Sequence, residues 1–200
     1  MFSTCSKYRQ YASLKFSALV ELGKNLRKGI AKAAGKKYES YFVASEQTPA
    51  LSEFAKKLYL RSYNGQRRKI IPNDLKLTPF SLAVWWMDDG NLQVTKRNGE
   101  IIGRPSGSLA TCGFRHKEVK KLAKILQDEF NIECHVYKTS HTTKDILYGP
   151  YSRIYITVDG LEILSNIIGK FVPKCMRYKI LKNSPAFEIS SWEIGESEIY

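Results

Sequence analysis

Two hundred residues with 43% apolar side chains suffice for one sizeable domain or two small ones and exclude a disordered chain. Thirty-two lysines and arginines against nineteen aspartates and glutamates leave a net charge of +13, which attracts polyanions and makes nucleic acid the leading partner. No apolar run approaches the roughly 20 residues of a membrane span, and Met1-Phe2-Ser3-Thr4-Cys5 is too short for a signal or transit peptide, so the reading is a soluble protein made where it works.

In chain order, the pattern predicts a strand at Tyr11 to Phe16, a basic helix from Ala18 to about Ala34, a strand at Lys37 to Ala44 and a helix at Leu51 to Tyr59. Residues 1 to 40 hold nine basic side chains against Glu21 and Glu39. Phe54 to Asn73 holds six, Arg67-Arg68-Lys69 among them, and no acid. Such clustering argues for a basic surface rather than for charge that serves solubility alone.

The most informative run follows, Thr78-Pro79-Phe80-Ser81-Leu82-Ala83-Val84-Trp85-Trp86-Met87-Asp88-Asp89-Gly90. Thr78 can cap the free N–H groups of a helix start, and Pro79 suits the first helical position, where no N–H is needed. With almost nothing polar around its circumference, this helix is expected to be buried on all sides and to deliver Asp88 and Asp89 at its C-terminal end. Acids at that end oppose the helix dipole, a cost that a bound cation offsets. The pattern therefore points to a metal.

Beyond it, Ser108 to Phe114 reads as a strand, His116 to about Asn131 as an amphipathic helix, and Glu133 to Lys138 and Ser152 to Val158 as strands joined by a loop from Thr139 to Tyr151. A helix at Leu161 to Val172 precedes Met176-Arg177-Tyr178-Lys179-Ile180. The first half repeats most of this order, which implies two α+β half-domains, at 1–77 and 78–182, with an acidic tail at 183–200. Two such strand sets give a pair of antiparallel sheets, each with one helix-packed and one solvated face. Side chains expected on the solvated faces, every second residue, are Lys15, Tyr41, Lys138, Arg153 and Tyr155, with Gln93, Lys96 and Arg97 just past the motif. Cys5, Cys112, Cys134 and Cys175 form no CxxC pair and read as reduced, mostly buried thiols. The nearest approach to a zinc set is Cys112 and His116 with Cys134 and His135.

The run at 78–90, preceded by Arg68-Lys69-Ile70-Ile71-Pro72 and Leu75 and followed by Met176-Arg177-Tyr178-Lys179-Ile180, resembles the LAGLIDADG homing endonucleases, in particular the branch whose second motif reads WxMDDG. The match runs from about Lys37 to Leu181. It implies two αββαββα halves forming a saddle, their motif helices packed together and their antiparallel sheets astride a long double-stranded DNA site. The first half here lacks its opening motif helix. The resemblance also implies cleavage of both strands with Mg²⁺ or Mn²⁺ held by the acid before the terminal glycine, Asp89, with Asp88 in support. Arg177 is the first candidate to stabilise the reacting phosphate, with Lys174 and Lys179 behind it, while Arg67 and Arg68 join the DNA-binding set. Only one motif is recognisable, so its partner is expected from an upstream segment, or from a homodimer through the motif helix, or is lost.

Two competing readings remain open. Some members of this family act as maturases, so the same basic sheet would grip intron RNA without cutting, or the chain is a truncated inactive copy. The Trp-Met-Asp-Asp string also fits the paired acids of reverse transcriptases, but those sit on a hairpin, and Thr78-Pro79 starts a helix. An organelle-encoded protein is expected, with the chloroplast preferred to the mitochondrion.

Overall fold

The computed structural model describes residues 3–19, 24–33, 35–61, 67–143 and 146–185. The chain divides into two compact units, one built mainly of Met1–Lys56 and the other mainly of Lys57–Val172 with Arg177–Ala186. Of the expected acidic tail, residues 186–200 lie outside the described residues.

In the first unit, β1 (Ser3–Ser6), β2 (Lys24–Ala33) and β3 (Lys36–Ser45) form an antiparallel sheet in the order β1-β3-β2. Helix α1 (Arg9–Ala18) covers one face, where Ala12 and Phe16 meet Leu26 and Val43. Here two expectations are overturned: Tyr11 to Phe16 is helix, not strand, and the segment expected as a basic helix is β2. Its Leu, Lys and Ala residues favour helix only by tenths of a kcal/mol each. Ten-residue pairing with β3 outweighs that preference, because Leu26 is buried beside Val43 and Arg27 lies over the Phe42 ring, 5.9 Å from its centre. Helix α2 (Pro49–Leu58) forms where expected, yet buries none of its residues.

In the second unit, a short pair β4 (Tyr59–Arg61) and β5 (Arg67–Lys69) precedes α3 (Pro79–Asp89). The start of α3 is capped reciprocally: Ser81 N donates to Thr78 Oγ1 at 3.1 Å, and Thr78 N donates to Ser81 Oγ at 2.8 Å. Strands β6 (Gly90–Arg97) and β7 (Glu100–Leu109) form a hairpin through Asn98-Gly99, whose φ angles of 51° and 87° are those of a type I′ turn. With β8 (Cys134–Thr143) and β9 (Ile146–Ile156) they make a four-stranded antiparallel sheet, β6-β7-β9-β8. Helices α4 (His116–Phe130) and α5 (Val158–Ile168) cover the face carrying Leu109, Ile154 and Ile156, all fully buried. The segment from Thr139 to Tyr151, expected as a loop, is mostly strand, because β8 and β9 continue pairing as far as Thr143↔Ile146. The strand expected at Ser108 to Phe114 ends at Leu109.

The repeat is thus real but differently phased. The run β7-α4-β8-β9-α5, with strand order β7-β9-β8, reproduces β1-α1-β2-β3-α2, with strand order β1-β3-β2. The first half lacks counterparts of both α3 and β6 among the described residues.

Cys5 and Cys112 are exposed, Cys175 is half-buried and Cys134 is buried, so the thiols are less sheltered than expected. The zinc set does not assemble: Cys134 Sγ faces the Ala123 carbonyl at 3.6 Å, and His116 Nδ1 is bonded to Ser152 Oγ at 2.9 Å. Burial, with the nearby Glu133 carboxylate second, pushes the Cys134 thiol up to about 11. At pH 8 in native buffer, iodoacetamide is expected to label Cys5 and Cys112 and to spare Cys134 until denaturant is added, as read by peptide mass spectrometry.

Candidate active site and nucleic-acid interface

Leu82, Ala83, Trp86 and Met87 of α3 are wholly buried, whereas Phe80, Ser81, Val84 and Trp85 are half-buried. The helix is therefore dry along one broad stripe rather than all round. Asp88 and Asp89 are both exposed at its C-terminal end. That end is held from two directions. Lys179 Nζ donates to the carbonyls of Met87 at 2.5 Å and Gly90 at 3.0 Å, while Trp86 Nε1 donates to the Lys179 carbonyl at 2.8 Å. An ammonium on these carbonyls offsets the negative end of the helix dipole, beside which the two carboxylates stand.

Gly90 ends the motif for reasons of space. A Cβ there would lie 2.4 Å from both the Trp86 ring and the Trp86 carbonyl oxygen, and one on Gly107, on the neighbouring strand, would lie 2.8 Å from the same ring. The indole is thus bedded on two glycines of β6 and β7. The chain turns directly from helix into strand there, with Ala110 N donating to the Asp89 carbonyl at 3.0 Å.

The other anticipated residues fall in different places. Arg177 Nη2 donates to the Pro185 carbonyl at 2.5 Å, and Lys174 is exposed in the 3-10 segment Lys174–Lys179. Arg67 is exposed and Arg68 half-buried on β5, ahead of Ile71, whose N–H donates to the buried Glu118 carboxylate of α4 at 2.7 Å. Lys96 and Arg97 are exposed beside the Asn98-Gly99 turn, and Gln93 Nε2 donates to Ser108 Oγ at 3.3 Å.

Arg153 and Tyr155 do lie on the sheet face away from the helices. Register adds residues that the sequence reading passed over: Tyr137 pairs with Arg153, His135 with Tyr155, and Thr139 with Tyr151. The His135 and Tyr155 rings are 4.8 Å apart. Taking Lys138 as outward sets the wrong parity on β8, so His135 and Tyr137 are missed although the expected strand contains them.

Three expected contacts are corrected. Lys15 lies in α1, not on a strand, and is buried with its ammonium on Thr4 Oγ1 at 2.9 Å and over the Tyr11 ring. Tyr41 packs against the α1-covered cluster, because it shares the face of Val43 two residues on. Lys138 pairs with Ser152 and so has the parity of the helix-packed face, although it is exposed on the edge strand β8.

Comparison with known proteins identifies the family and the fold. The model of the LAGLIDADG DNA endonuclease family matches residues 2–164. Cytochrome b mRNA maturase bI2 of Debaryomyces hansenii is 30% identical over 115 residues, covering 56% of this chain and 37% of that protein. Probable intron-encoded endonuclease 1 of Wickerhamomyces canadensis is 32% identical over 122 residues, covering 58% of this chain and 46% of that protein. This chain thus spans less than half the length of these curated relatives. Among solved structures, the homing endonuclease I-WcaI bound to its DNA recognition sequence matches with a TM-score of 0.64 and 24% identity, over 90% of this chain and 75% of that one. The folds are therefore the same.

Replacing Gly90 with Ala is expected to cost about 2–3 kcal/mol, since the new methyl group meets a ring and a backbone carbonyl that cannot both retreat. Trp86→Phe, which removes one hydrogen bond from the clasp and leaves a cavity where the wholly buried indole sat, is expected to cost about 2–4 kcal/mol. Urea midpoints of the two variants rank them.

Proposed function

Because the chain belongs to the LAGLIDADG DNA endonuclease family, we propose that it is a site-specific endonuclease of the homing type, hydrolysing phosphodiester bonds in a long double-stranded DNA site. The observation that carries this reading is the end of α3, where two exposed carboxylates stand on a capped, dry helix beside the Lys179 ammonium.

The donor set suits a hard cation. Among the described residues no cluster of three or more His, Cys, Asp or Glu side chains gathers, and Mg²⁺ or Mn²⁺ accepts a few carboxylates with water and phosphate oxygens completing its shell. Held there, such an ion would supply Lewis acidity to the attacking water and the leaving oxygen. Asp89 is the proposed ligand and Asp88 its support.

The remaining work falls to the chain's own side chains. Lys179 positions the acidic end and adds positive charge next to it. Arg177 keeps donors beyond the one given to Pro185 and, with Lys174, is proposed to face the phosphate whose charge grows during hydrolysis. Arg153, Tyr155 and Gln93 are proposed to meet base edges and sugars, and Arg67, Arg68, Lys96 and Arg97 to meet phosphates. Cutting both strands needs a second acidic helix end, from a second copy packed on the side of α3 where Trp85 is half-buried or from an added segment.

A second reading is favoured by a specific finding: one relative is named a cytochrome b mRNA maturase. In that reading the basic sheet holds intron RNA by shape and cleavage is absent. Either way we infer an organellar gene. Both curated relatives above are yeast proteins, and yeasts have no chloroplast, so the mitochondrion replaces the chloroplast as the preferred setting.

With Mg²⁺, the purified chain is expected to cut or nick the intronless target, and Asp89→Asn to slow that reaction by about a thousandfold or more. Full activity in Asp89→Asn would remove Asp89 from the site. Absence of cleavage together with faster splicing of the intron RNA would select the maturase reading.

A further inference from the structure

The sheet face away from α4 and α5 carries aromatic rings where β8 and β9 run side by side. Its cross-strand rows are His135 opposite Tyr155, Tyr137 opposite Arg153 and Thr139 opposite Tyr151. His135 is exposed, and Tyr137, Arg153 and Tyr155 are half-buried. Neither strand contains an aspartate or a glutamate, so the pair presents no carboxylate to a phosphate chain. Inside a duplex each base is covered above and below by its neighbours, and a protein meets only edges, sugars and phosphates. A ring can stack only on a base that has left the helix. Spacing agrees: successive residues on one face of a strand lie about 7 Å apart, roughly twice the 3.4 Å step of stacked bases, so His135 and Tyr137 match single bases of an extended strand.

Arg153 is an independent observation in the same place. Its Nε is buried and has no hydrogen-bond partner among the described residues. A side chain that reads base pairs in the major groove projects into a cleft about 8.5 Å deep. With Nε buried, the stem of Arg153 stays down on the sheet, and its guanidinium offers a planar cation next to Tyr137 on which a base stacks as it does on a ring. Bases must therefore come to the sheet, which unpaired ones can do and paired ones cannot.

We propose that the β8 and β9 face holds an unpaired segment of RNA, its bases stacked on His135, Tyr137, Tyr155 and the Arg153 guanidinium. The proposal rests on the intron-RNA reading above and narrows it from recognition by shape to recognition of single-stranded bases. RNA is the occupant because its loops and bulges present unstacked bases directly, whereas duplex DNA must first be opened. Thr139, two residues beyond Tyr137 on the same face, adds a hydroxyl for the ribose 2′-OH that DNA lacks.

The probe is a fluorescein-labelled RNA decamer of mixed sequence, titrated with the full chain and read by anisotropy, beside the same RNA annealed to its complement and the same sequence as single-stranded DNA. The single-stranded RNA is expected to bind about tenfold more tightly than the annealed form and about fivefold more tightly than the DNA strand. Tyr137→Leu is expected to abolish the preference for the single strand over the duplex, and Tyr137→Phe, which keeps a ring, to retain it. His135→Ala, at an exposed position, is expected to lower the same preference. A duplex that binds as tightly as the single strand overturns the proposal, as does a preference unchanged in both Tyr137→Leu and His135→Ala or lost equally in Tyr137→Phe. Equal affinity for the DNA strand overturns the assignment to RNA. The readout is a ratio between oligonucleotides rather than splicing, so its failure is distinct from failure of the maturase reading.

Discussion

The clasp between Trp86 and Lys179 is the interaction on which the acidic end of α3 depends. A helix terminus leaves carbonyls without partners, and here two carboxylates are added to the same negative end. Water could satisfy those carbonyls at an exposed terminus, but this one passes straight into β6 over a buried indole. Lys179 resolves the conflict by placing one ammonium on the carbonyls of Met87 and Gly90, and its own carbonyl is taken by the Trp86 N–H. Each residue thus fixes the other. The two glycines under the ring have the same origin: the indole needs a bed without side chains, and β6 and β7 supply it at Gly90 and Gly107. The motif's spacing is therefore structural as well as chemical, since the residue that stacks on the sheet and the acids that follow share the last turn of one helix.

This explains why the second half was so legible in the sequence. The Thr78 cap, Pro79, the apolar run and Gly90 each have a local meaning, and the local meanings agree. The 3.6-residue period of His116 to Asn131 is likewise an intrinsic property of α4. The first half was misread because its signals conflict. Lys24 to Ala33 has the composition of a helix and becomes a strand through pairing with a partner that composition cannot reveal, whereas Tyr11 to Phe16 looks like an alternating strand but is the middle of α1. In that helix Lys15 reads as a solvated cation, yet the structure lays its stem along Tyr11 and gives its ammonium to Thr4. The Asn98-Gly99 dipeptide was the one strong hairpin signal overlooked, and with it the full length of β6 and β7. The acids and Lys179 are legible in the sequence but the relation between them is not, because the hydrogen bond that joins Trp86 to Lys179 spans 93 positions.

The positive charge takes on a sharper meaning once its partners are known. Exposed pairs of Lys28 with Glu39, Lys56 with Glu53, Lys124 with Asp128, and Arg104 with Asp159 and Glu162 contribute little to stability, because solvent screens them. Pairing occupies cations as well as acids and leaves the net charge of +13 unchanged. The excess that remains is carried in part by cations at strand ends and turns, such as Arg67, Lys96 and Arg97, where a phosphate can approach without displacing an internal partner.

Arg153 differs from these. Its Nε is buried and has no hydrogen-bond partner among the described residues, on the sheet face that also carries Tyr137, Tyr155 and His135. A buried donor without an acceptor costs about 1–3 kcal/mol. Any ligand that supplies an acceptor there recovers part of that cost, whereas a ligand meeting a fully hydrated lysine must first displace water that already bonds well. An acceptor on a base edge or a phosphate serves equally in this accounting, so the gain in affinity belongs to the position of Arg153 and the choice between DNA and RNA does not.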